Sequence, residues 1–314
     1  MKKKLSAVLL ALAASMPMTA QNLVKGNYGY LYCHMSDKGE WTAYAISRDG
    51  YNYQDINGGN PIFNPEEHAC IEGGIRDAYI TRMHNGKGYI MVTTDMCVRK
   101  SHKWDNYGID LLKSKDLTNW TSVTFDFRKG MQNFCDAATA TSPYKDWSAI
   151  NRVWHLRSFK TFTKLTTPKL LFDWVYATID ADINFLKSNG LYHMLIKKEG
   201  GKRGIFTATS KYLNHGWSAP VDDDFVSFEG NKLTEGSSAF QLIGDDTWRV
   251  AYIQYSDHPK HYRICKADKY LRNFSDPVDI KGVTAPQHGS FMRITKNEYK
   301  MLQKWDKELK NKAK

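Results

Sequence analysis

Short runs in which apolar and polar residues alternate recur along the chain: GYLYCHM and WTAYAIS near the N-terminus, then RDAYITR, GYIMVTTD, GIDLLK, IDADINF, LYHMLIKKE, GIFTATS, TWRVAYIQY and YRICKAD. A two-residue period puts successive side chains on opposite faces, so each run predicts a β-strand with one face buried. Turn residues stand between the runs, as in HNGKG, KSNG and GDD, and let the chain reverse into antiparallel neighbours. Only the lysine-rich tail from Lys300 to Lys314 departs from this pattern, and it predicts a short C-terminal helix.

The strands fall into a repeat. A small residue, a charged or polar stretch and an aromatic recur as SRDGYNY from Ser47, SKDLTNW from Ser114, SFKTFT from Ser158, SKYLNHGW from Ser210 and ADKYLRNF from Ala267. Each complete block places an inner strand, a turn, an aromatic strand and a strand ending in this phrase within about 50 residues, the period of a β-propeller blade. The N-terminal strands lack an inner strand, which QHGSFMRI near the C-terminus can supply, closing the ring and removing an open sheet edge. One block is irregular. Asp180 and Glu235 are 55 residues apart and Glu235 and His288 are 53 apart, whereas Trp154 and Asp180 are separated by only 26. The expected fold is all-β, a five-bladed β-propeller with one truncated blade and a short C-terminal helix.

The first twenty residues have three lysines, an apolar run from Leu5 to Ala14 and a small-residue end at Ala20, the pattern of a secretory signal peptide and too short to span a bilayer. Residues 21–314 then form one propeller domain, exported to the periplasm or beyond and expected to be monomeric. The formal net charge is +11, but no basic stretch is interleaved with stacking aromatics, so a nucleic-acid partner is not expected and the basic tail reads as a solvated helix face. Nothing after the leader is apolar enough to cross a membrane. Five cysteines, without CxxC or metal-ligand spacing, imply neither a disulfide framework nor a metal centre.

The candidate chemistry lies at one offset of the repeat. Asp77 in GGIRDAYI, Asp180 in YATIDADI and Glu235 in LTEGSSAF each stand at the start of an inner strand, and His288 in PQHGS occupies the fourth such place. Inner strands surround a common axis, so these residues should converge. Glycoside hydrolysis uses such a set: a protonated carboxyl serves the leaving oxygen, an ionised one takes a proton from water on the opposite face, and a third acid raises the first one's pKa. Asp182, two residues from Asp180, is a competing candidate for a merely structural role. Arg76 beside Asp77 could contact substrate or pair with an acid. Trp154, Trp174 and Tyr176 could stack on sugar rings or simply pack between blades, whereas Trp120 and Trp217 read as structural wedges.

Taken together, AYAISRDGYNY, GGIRDAYITR, SKDLTNW, TIDADI, LTEGSSAFQL and APQHGSFMRIT resemble the exported five-bladed propeller hydrolases of glycoside hydrolase family 43 from polysaccharide-degrading bacteria. The resemblance covers nearly the whole chain after the leader. It implies that Asp77 is the general base, Asp180 the pKa-modulating aspartate and Glu235 the general acid, with His288 near a central ion or water site. It further implies an inverting enzyme for α-L-arabinofuranosides, β-D-xylosides or galactofuranosides. No cofactor is required. A structural calcium in the channel, held near His288 mostly through water, is compatible with this picture. Two departures stand out: Ala78 follows Asp77 where the family commonly has proline, and the block at Trp154 reads as an internal deletion of about 35 to 40 residues. An open pocket left by that deletion supports an alternative, a non-catalytic carbohydrate-binding propeller; a protein-interaction scaffold would give no reason for acids at this offset.

Overall fold

A computed structural model describes residues 26–83, 86–104, 106, 108–127, 153–158, 164–166, 169–172, 174, 177–199, 204–219 and 233–312. The leader, Cys135, Tyr176 and most of the irregular block lie outside the described residues, as does the side chain of Trp154.

Four antiparallel sheets of three or four strands form the blades. The first joins β1 (Gly29–Ser36), β2 (Trp41–Ser47) and β3 (Tyr53–Asp55) to β17 (Pro286–Ile294) in the order β17-β1-β2-β3. Tyr30 lies opposite Arg293 and Tyr32 opposite Phe291, so the two ends of the chain share one blade, as the orphaned N-terminal strands required. The second contains β4 (Arg76–Arg82), β5 (Tyr89–Thr94), β6 (Gly108–Ser114) and β7 (Trp120–Asp126). The third contains β10 (Thr178–Leu186), β11 (Leu191–Lys198) and β12 (Gly204–Ser210), and the fourth β13 (Thr234–Gln241), β14 (Trp248–Gln254), β15 (His261–Ala267) and β16 (Val278–Asp279).

The expected five blades, one of them truncated, are therefore corrected to four among the described residues. Between β7 and β10 the described chain contributes only β8 (Trp154–His155) and β9 (Lys169–Leu170), which pair with each other. Strands of two residues are too short to carry an inner strand and its outer neighbours. This ribbon has a packing role instead. Its neighbours Val153, Phe172 and Trp174 lie on Met194, Ile196, Phe206 and Trp217 of the third blade.

The inner strands β4, β17, β13 and β10 pack side by side in that order, and a hydrophobic cluster fills each seam. Leu31, Tyr44, Ile80, Met91 and Leu112 join the first and second blades. Tyr30, Tyr32, Phe240, Ala251 and Tyr262 join the first and fourth, and Leu186, Leu195, Val250 and Tyr252 the third and fourth. Each such side chain taken fully out of water contributes about 1.5–3 kcal/mol, which explains why the strand between two others reads as nearly continuous apolar sequence: every residue of β1 and β14 is buried.

The repeated phrase is a hydrogen-bonded turn. Ser47 Oγ accepts the Gly50 N–H at 2.9 Å and Asp49 Oδ1 accepts those of Tyr51 and Asn52; Ser114 Oγ accepts the Leu117 N–H and Asp116 Oδ1 those of Thr118 and Asn119. The left-handed position falls on Gly50, Leu117 or Leu271. Trp120 and Trp217, expected as structural wedges, are buried at 8 % and 9 % exposure, and Phe274 is partly buried.

The C-terminal helix, Lys296–Lys312, begins with a capping box in which Thr295 Oγ1 accepts the Glu298 N–H and Glu298 Oε2 accepts the Thr295 N–H. Its buried Leu302, with Tyr299, Trp305 and Leu309, packs on Tyr44, Ile46 and Ile56.

Candidate active site

Every inner strand carries a β-bulge at the same level. Pairing shifts by one residue between Arg76 and Tyr79 in β4, between Ile179 and Asp182 in β10, and between Glu235 and Ser238 in β13; in β17 the irregularity lies between Pro286 and Gly289. A bulge sets two residues against one and re-aims the side chains around it. Asp77 (φ 53°), Asp180 (φ 57°) and Gly236 (φ 61°) take the left-handed position, which short polar side chains and glycine tolerate. Asp77 and Asp180 thus share one offset. Glu235 stands one residue earlier and His288 one residue later in the corresponding bulge. The kink lets all four reach one point despite this stagger.

That point is the imidazole of His288. Its Nδ1 lies 3.3 Å from Asp77 Oδ1 and 3.8 Å from Asp180 Oδ1, and its Nε2 lies 3.2 Å from Glu235 Oε1. The side chains are 14 %, 29 %, 19 % and 22 % exposed for His288, Asp77, Asp180 and Glu235 respectively, so the cluster is mostly buried but reachable from solvent. Burial alone would lower the His288 pKa, but Asp180, Asp77 and Glu235 outweigh it and raise the imidazole to about 10. His288 is therefore a cation held by three acids.

A second cation stands behind Glu235. Lys197 of β11 is 3 % exposed and its Nζ bridges Glu235 Oε2 at 2.5 Å and Glu199 Oε1 at 2.7 Å, below the ring of Tyr255 at 4.9 Å. Burial pushes the Glu235 carboxyl up, yet the hydrogen bond and charge of His288, followed by those of Lys197, bring it down to about 2. Asp180 moves the other way: burial raises its pKa, and Glu235 and Asp77 add to the rise against the pull of His288 and Lys197. Neighbouring carboxyls are thus driven apart in acidity.

The structure separates Asp180 from its competitor. Asp180 faces His288 and accepts the Gly236 N–H at 3.0 Å. Asp182 points into the seam between blades, accepting the Ala239 N–H at 2.9 Å and an amide proton of Asn184; burial raises its pKa to about 6. Arg76 lies one layer behind Asp77, 7 % exposed, with its Nη1 3.2 Å from Glu40 Oε1 and its guanidinium 5.5 Å from the ring centroid of the exposed Trp104. Trp174 stacks on Phe172 against the core of the third blade, not on the acids.

Lys197, Glu199, Glu40 and Trp104 were missed in the sequence. Only Lys197 left a signal, a lysine following the apolar MLI run directly across from the strand start that holds Asp180.

Ligating atoms of Asp180, Glu235 and His288 lie within 4.8 Å of one another. Calcium takes about six to eight oxygen ligands, and here one nitrogen and two carboxylates are already engaged with Lys197, the Gly236 N–H and each other. The set suits an imidazolium better than a divalent ion.

No helix among the described residues is long and apolar enough to cross a membrane. A family model described as a probable glycosyl hydrolase domain, related to family 43, matches residues 26–132 and 134–300. An α-L-arabinofuranosidase from Bifidobacterium longum subsp. longum is 24 % identical, the match covering 84 % of this chain and 32 % of the relative; the chain thus spans about a third of that relative's length. Two solved structures share the fold: a mutant of the family 43 protein BlXynB from Bacillus licheniformis, with TM-score 0.53, 12 % identity and coverage of 85 % of this chain and 56 % of that one, and the exo-β-1,3-galactanase 1,3Gal43A from Clostridium thermocellum, with TM-score 0.51, 11 % identity and coverage of 85 % and 64 %. With the family model matched over most of its length, and with acids from three blades gathered at the mouth of the ring, the chain belongs to the family 43-related glycosyl hydrolases.

Proposed function

We propose that the protein is an exported, monomeric, inverting exo-glycosidase that removes α-L-arabinofuranosyl, or β-D-xylosyl or galactofuranosyl, units from plant polysaccharides or oligosaccharides. The observation that carries this is the meeting of Asp77, Asp180 and Glu235 around one imidazole. In this assignment Asp77 takes a proton from water as it attacks the anomeric carbon, and Glu235 protonates the departing oxygen on the other face. Asp77 lies against Nδ1 and Glu235 against Nε2 of the same ring; the inverting assignment requires the two carboxyls to stand roughly 6.5–9.5 Å apart with water between them. The hydrogen bond and charge of His288, 3.2 Å away, favour the ionised form of Glu235 in the free protein, so Glu235 must take up a proton as substrate binds before it acts as the acid. Asp180, held by the Gly236 N–H, is the aspartate proposed to raise its pKa.

The proposed chemistry needs no cofactor, and no step passes through a metal. Export rests on the leader pattern of residues 1–20, and the short interval before Asp180 is read as an internal deletion that removes pocket wall. Arg76, Trp154 and Trp174 remain proposed sugar contacts, Arg76 by way of Trp104. The test is release of nitrophenol from aryl α-L-arabinofuranoside, β-D-xyloside and galactofuranoside, with the anomer of the first-formed sugar followed by NMR. Retention of configuration would reject the inverting assignment.

One observation favours a non-catalytic carbohydrate-binding propeller: the clamp of Lys197 and His288 that keeps Glu235 ionised. Binding of arabino-oligosaccharides without turnover at any pH would establish that reading.

A further inference from the structure

The four inner strands start at Asp77, Asp180, Glu235 and His288 and run on from there, and residues further along them line a cavity of about 990 Å³. Asp180 stands three to five residues before Ile183 and Phe185 of its wall, about 10–17 Å along the strand. None of Asp77, Asp180, Glu235 or His288 lines the cavity, and its nearest wall residue, Tyr79, stands two residues beyond Asp77, about 7 Å along the strand. Its size lies at the upper end of ordinary ligand pockets, about 300–1,000 Å³.

Its lining suits an uncharged sugar. Tyr79, 46 % exposed, faces Tyr192 and Phe185, which pack edge to face at 5.1 Å. Such rings offer flat apolar surfaces to C–H faces. The charged groups on the wall are of both signs, Lys187, Lys269 and Arg293 against Asp245 and Asp246, so opposite charges largely offset one another. Trp248 also lines the cavity. It is 8 % exposed and its indole Nε1 has no acceptor among the described residues. A buried N–H without a partner costs about 1–3 kcal/mol, and a sugar hydroxyl in the cavity relieves that cost once the lining shifts to expose the indole edge.

We propose that this cavity is a second carbohydrate-binding site, which holds another stretch of a neutral oligosaccharide or polysaccharide at the end of the ring opposite the acids. The choice of ligand rests on the proposed glycosidase function; the existence of the site does not. Binding there would raise the effective concentration of polymer at the acids without adding to the chemistry.

The experiment is titration calorimetry of the full-length Glu235→Gln protein with arabinohexaose and with xylohexaose, repeated with Tyr192→Ala or Trp248→Phe added. Folding of each variant is checked by its thermal melt. Two molecules bound per chain are expected with one of these probes, falling to one, or with the weaker affinity reduced at least tenfold, in both added variants. Trp248→Phe removes the N–H together with one ring of the buried indole, so a loss there reports the whole side chain. A wild-type protein that binds two molecules but releases no product would sink the glycosidase function and leave the second site standing. One molecule per chain in Glu235→Gln, an unchanged pair in both added variants, or no binding of either hexasaccharide would overturn the proposal.

Discussion

The ring of His288 fills the space that a side chain on Gly236 would need: a Cβ built at Gly236 falls 2.4 Å from the imidazole. Position 236 also has φ 61°, where an L-residue pays about 1–2 kcal/mol. Glu235 and His288 come from different blades, and the missing Cβ lets them meet.

Gly236→Ala should therefore displace His288 and separate it from Glu235. We expect stability to fall by about 1–3 kcal/mol and hydrolysis of aryl glycosides to fall at least tenfold, measured by denaturant unfolding and initial rates. An alanine variant with wild-type rate and melt would show that the close approach is not required.

Lys197 is the buried cation between Glu199 and Glu235. Removing one member of a buried ion cluster strands the others, at about 3–5 kcal/mol. Lys197→Met should lose stability of this size in urea unfolding, and Lys197→Arg should recover part of it. Equal stability of Lys197→Met and wild type would mean that water already screens the two glutamates.

These two contacts also mark the limit of what was legible. Alternation gave the strands, the repeated phrase gave the blade period, and the spare segment QHGSFMRI was matched to the orphaned N-terminal strands, all because these signals are local or strictly periodic. The stagger of Glu235 and His288 around their bulges was hidden, because a one-residue shift in a ladder leaves no mark in composition. Lys197 was hidden because its partners lie in another blade and beyond its own strand's end. The count of blades failed for a related reason: the short interval before Asp180 reads as a truncated blade, but spacing does not reveal that the described residues there form a ribbon packed on the third blade. For Trp174 the sequence left sugar stacking and core packing both open, and its ring packs on the apolar face that the ribbon covers.

The C-terminal helix should be pinned by a pH-dependent contact. Glu298 bonds Arg82 and Tyr89 of the second blade. Burial raises its pKa, but the bonds from Arg82, Tyr89 and the Thr295 N–H lower it to about 2, below the usual 4.5. The unfolded chain then takes up the proton first as pH falls, so the contribution is fully present above about pH 4.5 and lost between there and about 2. Wild type should exceed Glu298→Gln by about 1–2 kcal/mol at pH 6, allowing for solvent screening, with the gap closing toward pH 2. A gap independent of pH in paired denaturant curves would refute the ionic origin.

Asp182 and Asp180 should behave differently despite standing two residues apart. Asp182→Asn removes a carboxylate that accepts the Ala239 N–H in the blade seam, so it should cost about 1–3 kcal/mol of stability with a modest effect on rate. Asp180→Asn should do the reverse, lowering rate at least a hundredfold with little change in the melt. Interchanged effects would reassign the two aspartates.

The most direct measurement is the initial rate of nitrophenol release by wild type, Asp77→Ala and Glu235→Gln from whichever aryl furanoside or xyloside is cleaved. If Asp77, Asp180 and Glu235 work as one site around His288, wild type turns over and both variants fall by at least a hundredfold while retaining a cooperative melt. Turnover that survives either substitution unchanged would contradict the account.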